Sequence, residues 1–97
     1  MDWLALVAHF FSGAFLANSV PHIVYGISGR PFQTPFARPP GIGESSAIVN
    51  VLWGAFNFAV GYVLIQRFGL NAPLAGAGAL ILALWLAFHF GRVRGGK

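Results

Sequence analysis

Cysteine is absent from the chain, and only two acidic side chains, Asp2 and Glu44, are present. The first absence excludes disulfides, thiolate metal sites and cysteine nucleophiles. The second leaves no carboxylate to orient a buried histidine, so Ser12, Ser19 and the histidines make no hydrolase triad. Charge of either sign is scarce. Charged residues make up 8% of the 97 positions, where about a quarter is usual, and apolar residues make up 57%. A water-exposed surface cannot be built from that composition, so the bilayer must be the solvent for most of the chain. The loop glycines match neither a P-loop nor a GxGxxG pattern. No catalytic residue and no metal site is therefore expected.

What the sequence does have is three apolar runs, near 3–27, 46–66 and 72–91. Each meets the roughly 20 residues that a helix needs to cross hydrocarbon. In lipid each must be helical, because open strands would leave backbone groups unpaired. The reading is an all-α integral membrane protein, one domain over 1–97, with three transmembrane helices. Ala17-Asn18-Ser19 resembles a signal cleavage site, but the amino end carries Asp2 and no basic residue, so the first helix is expected to be retained. Ser45 or Ser46 can cap the second helix beside Glu44, and Asn71 can cap the third, with Pro73 in its first turn. Gly69 and Gly91 are expected to end the second and third helices. The short 67–71 connection makes those two helices a hairpin.

The 28–45 connection is different. It holds Pro31, Pro35, Pro39 and Pro40 with Gly29, Gly41 and Gly43, and cannot be helical. Phe32 and Phe36 are apolar residues in a polar loop, expected to dip into the interface or fold back over the helices. Arg30, Arg38, Arg92, Arg94 and Lys97 fall on the side of this loop and of the basic tail 92–97, against Arg67 on the other. Positive charge gathers on the cytoplasmic side. The expectation is an outward amino terminus, an inward loop and tail, and a bacterial inner membrane. The basic residues sit at span ends rather than in one patch, so nucleic acid is not an expected partner.

Each helix carries a face for close packing. The second has Ser46, Asn50, Gly54, Asn57 and Gly61 at spacings of three and four; the third has Ala75, Ala79, Ala83 and Ala87; the first has Ala5, His9, Gly13 and Ala17. Small residues let membrane helices approach, and asparagine bonds across the contact. The asparagine stripe could instead line a pore. Three short helices bury little of themselves, so other membrane subunits or further copies of the chain are the expected partners, beside the bilayer. Trp3 suits an outer aromatic belt, and Trp53 and Trp85 fall in the inner halves of their spans.

The polar candidates are Asn18, His22, Tyr25, Asn50, Asn57 and His89. Asn18, His22 and Tyr25 share a face of the first helix, beside a kink or opened turn expected at Pro21. His22 and His89 each lie roughly 10 Å past the middle of their spans, and Asn50 at similar depth. That layer could bind a ligand or move a proton, ligate haem through His22 and His89, or simply satisfy itself near the interface. No cofactor is otherwise expected.

In size and helix count the chain resembles the half-transporter class of sugar carriers. Those carry a Pro-Gln pair in the first helix; this sequence has Pro21-His22, and no function is carried over. Two functions stay open. One is a non-enzymatic accessory or structural subunit that docks through Arg30, Phe32, Phe36 and Arg38. The other is a homo-oligomeric transporter or channel using His22, Asn50 and His89.

Overall fold

A computed structural model describes residues 2–95. Three helices, α1 (Trp3–Ile27), α2 (Ala47–Phe68) and α3 (Ala72–Gly95), are each long and apolar enough to cross a membrane. Between α1 and α2 lie two short antiparallel strands, β1 (Phe32–Gln33) and β2 (Glu44–Ser45), paired Phe32 to Ser45 and Gln33 to Glu44.

Side chains and glycines set the helix ends. Asp2 Oδ1 accepts from the Ala5 amide at 3.2 Å, Ser46 Oγ from Val49 at 3.2 Å and Asn71 Oδ1 from Leu74 at 3.1 Å. Each satisfies a first-turn donor that no carbonyl can reach. Gly69, at φ +86°, closes α2 by donating to the Ile65 carbonyl at 2.7 Å, in a backbone region that costs other residues a clash. One sequence expectation fails here. α3 does not stop at Gly91 but runs to Gly95. A glycine costs a helix only about 1 kcal/mol, and Arg92 and Arg94 in the last turn favour the negative helix end. The expected tail is thus helical as far as it is described; Lys97 lies outside the described residues. α1 carries Pro21 inside one continuous helix, where proline forfeits one backbone hydrogen bond.

The chain forms two compact units. The first comprises Met1–Asn18 and Asn57–Lys97, the second Ser19–Phe56. In the first, backbone meets backbone. A Cβ built on Gly13 would collide with the Ala75 carbonyl, one on Gly78 with the Phe10 carbonyl, and one on Gly61 would lie 2.9 Å from the Ser12 carbonyl. Ala8, Ser12, Ala14 and Asn57 are buried around these crossings. The alanine ladder of α3 is only partly used. Ala75 is buried and Ala79 half-buried, but Ala83 and Ala87 are exposed, against expectation. The face that α3 buries runs instead through Ala75, Gly78 and Leu86, because Gly78 lets the backbones approach more closely than any alanine can.

In the second unit α1 and α2 meet at Gly26 and Gly54. A Cβ on Gly26 would lie 2.8 Å from the Ala47 carbonyl, and one on Gly54 3.1 Å from the Ser19 carbonyl. Each helix exposes large apolar side chains: Val24, Leu52, Phe58, Val63, Leu80, Leu84 and Phe88 are all more than half exposed. Hydrocarbon is the solvent that accepts such a surface.

Candidate functional site

The packed stripe on α2 is also the polar one. Asn50, Gly54, Asn57 and Gly61 are all buried, while Ser46 at its end is exposed. Its two asparagines have different partners.

Asn50, wholly buried, joins four groups in the second unit. Its Nδ2 lies 3.2 Å from the Phe32 carbonyl, 3.1 Å from that of Ser45 and 3.0 Å from that of Ser46. Carbonyls only accept, so the NH2 must face them and share its two hydrogens among the three. Oδ1 then faces His22 Nδ1, at 2.7 Å. An amide oxygen cannot donate, so His22 carries a proton on Nδ1 and donates it to Asn50. The paired strand residues Phe32 and Ser45 are thereby tied to both helices through one side chain.

An aromatic group surrounds this hydrogen-bonded centre. The His22 ring meets Phe32 edge-on at 5.5 Å and Trp53 at 6.4 Å. Tyr25 stacks on Phe32 at 4.3 Å, and the Arg30 guanidinium lies 5.9 Å over Tyr25. Phe36 meets Trp53 edge-on at 4.8 Å. Phe32, expected among the partner-docking residues, is only 3% exposed. Burying its ring against Tyr25 and His22 removes it from any partner's reach. Phe36, at 62% exposed, stays accessible, as do Arg30 and Arg38.

Sequence reasoning missed Thr34. It is buried, its Oγ1 accepts from the Phe36 and Ala37 amides at 3.3 and 3.2 Å, and it pairs with Ser45 Oγ at 2.5 Å. With two donors already aimed at it, the threonine's own hydrogen goes to Ser45. The available signal was Thr34-Pro35 at the mouth of a turn, since threonine hydroxyls commonly cap turn amides. Gln33, also buried, was missed as well.

The first unit holds the other asparagine pair. Asn18 Nδ2 donates to Asn57 Oδ1 at 2.9 Å. The pair lines a groove of about 290 Å³, with Phe11, Ala14, Phe15, Leu82 and Trp85. His89 belongs to this unit, its ring stacked on Trp85 at 5.0 Å and 3°. Of the expected polar layer, His22 and Asn50 are thus directly bonded, and His89 lies in the other unit. Tyr25 stacks on Phe32. Among the described residues no three His, Cys, Asp or Glu gather as a metal site.

No family model matches the chain, and no solved structure matches it. It is similar to Transmembrane protein 144 homolog B of Dictyostelium discoideum, at 36% identity over 97 aligned residues, which take in 97% of this chain and 26% of that protein. The chain is an integral membrane protein. It spans about a quarter of the relative's length. That relative is eukaryotic, which argues against the expected bacterial inner membrane.

Proposed function

We propose that the chain is a non-enzymatic membrane subunit that works packed against further transmembrane helices, in an accessory or structural role. The observation that carries this reading is the similarity itself: residues matching nearly the whole chain make up about a quarter of a longer transmembrane protein. A three-helix stretch of this kind can therefore sit among additional chain. The unused half of the α3 ladder supports it, because Ala83 and Ala87 offer a small-residue face of the kind on which membrane helices pack. Native mass spectrometry of the chain gently extracted from its own membrane should find it held in a larger assembly. Ala83→Leu should release it while its helicity by circular dichroism stays unchanged. A lone monomer under gentle extraction, or an assembly indifferent to Ala83→Leu, would count against the reading.

In this reading the loop faces the cytoplasm, the side on which positive charge gathers. As the chain has no cysteine, a single cysteine at exposed Phe36 should be labelled by an impermeant maleimide from that side alone; labelling from outside would reverse the topology.

The bond between His22 and Asn50 favours one second reading, a homo-oligomeric transporter or channel with its polar site there. Loss of an ion flux from liposomes on His22→Phe, with helicity by circular dichroism unchanged, would favour it over the first.

A further inference from the structure

We propose that the groove lined by Asn18 and Asn57 is where a second copy of this chain packs, in the same orientation, with the two Asn18 amides paired across a two-fold axis. The proposal deepens the subunit reading and rests on it.

Depth carries the first step. Asn57 lies at the middle of α2 (Ala47–Phe68), and Asn18 lies about 4–5 Å from the middle of α1 (Trp3–Ile27) at helical rise. Both belong to the hydrocarbon layer, where no water satisfies an amide. Asn57 is 1% exposed. Asn18 is half-buried, lines the groove and gives one Nδ2 hydrogen to Asn57. Its Oδ1 has no hydrogen-bond partner among the described residues, and its second Nδ2 hydrogen is uncommitted. An amide left with one donor and one acceptor is complementary to another amide in the same state.

Symmetry carries the second step. Copies inserted the same way are related by an axis along the membrane normal, so each residue meets its equivalent at its own depth. Another protein would need an independent polar group at the midplane; an identical copy brings one necessarily. Phe11 and Trp85, which also line the groove, are 46% and 55% exposed and offer apolar surface to the second copy.

Self-association in liposomes tests this, read by energy transfer between labels on a single cysteine introduced at exposed Ile42. An interhelical membrane hydrogen bond averages about threefold in affinity, so the reciprocal pair is on the order of tenfold. Asn18→Leu should weaken association by about that factor, Asn18→Gln should largely preserve it, and Phe11→Cys should cross-link between copies. If Asn18→Leu fails to fold, Asn18→Gln and Phe11→Cys still decide. A chain monomeric at every protein-to-lipid ratio overturns the proposal, as does association indifferent to Asn18→Leu, or a Phe11→Cys dimer that never cross-links. A retained lipid on a monomer would assign the groove to a ligand instead. A native assembly with a different subunit and never a second copy overturns this proposal while leaving the subunit reading intact.

Discussion

Replacing Asn50 with leucine should unfasten the loop from both helices. The substitution strips the buried His22 Nδ1–H of its acceptor and the Phe32 carbonyl of its side-chain donor. Each buried group left unsatisfied costs about 1–3 kcal/mol. The Ser45 and Ser46 carbonyls are less buried and add little. A local loss of about 2–6 kcal/mol follows, or at least about thirtyfold in the equilibrium between closed and open loop. Hydrogen exchange by mass spectrometry reads that equilibrium in the amides of 32–45, which the strand pair and the Gly41 and Gly43 turn bonds protect. Asn50→Asp is the sharper probe. It keeps an oxygen for His22 but turns a second oxygen onto three carbonyls, so it should loosen the loop about as much as leucine does. Unchanged protection in Asn50→Leu, or an aspartate variant as tight as the parent, would refute the assignment of Asn50 as the fastening.

Two further predictions concern packing. Gly78→Ala drives a methyl into the Phe10 carbonyl and should destabilise the chain by about 1–3 kcal/mol in thermal unfolding. Gly76→Ala, with open space around it, should be neutral or stabilising by about 0.5–1 kcal/mol; equal effects at the two sites would undo the account of the α1–α3 crossing. Phe32→Ala should cost about 3–5 kcal/mol, as buried aromatic truncations do. Phe36→Ala should cost about 0.5–1.5 kcal/mol, its edge contact with Trp53 alone.

The three spans were legible because hydropathy and length decide them in lipid. The α2 stripe was legible too, since Asn50, Gly54, Asn57 and Gly61 recur at helical spacing and are all buried. Alanine misled on α3. Ala75, Ala79, Ala83 and Ala87 share a spacing, but a methyl group does not say which turn meets a neighbour, whereas Gly78 removes the last obstacle to backbone contact. The loop was the least readable part. Its rhythm of Arg30-Pro31-Phe32 and Thr34-Pro35-Phe36 looks repetitive, yet one phenylalanine is buried and the other exposed. The difference arises from strands of two residues each and a hydroxyl cap at Thr34, too short-ranged to leave a periodic signal. Depth along the spans suggested that His22 and Asn50 share a layer, and they are directly bonded, but depth carries no azimuth and so could not show that bond or the stacking of His89 on Trp85.

In a hydrocarbon solvent, two greasy helices can slide past each other at little cost, because lipid tails replace each lost contact with one of equal quality. The amide of Asn57 on Asn18 and that of Asn50 on His22 cannot be replaced in this way. Each acts as an index mark within its own unit: a shift of one helical turn strands a donor in oil. Membrane insertion delivers helices with only an approximate depth, and such marks convert that approximation into a single alignment.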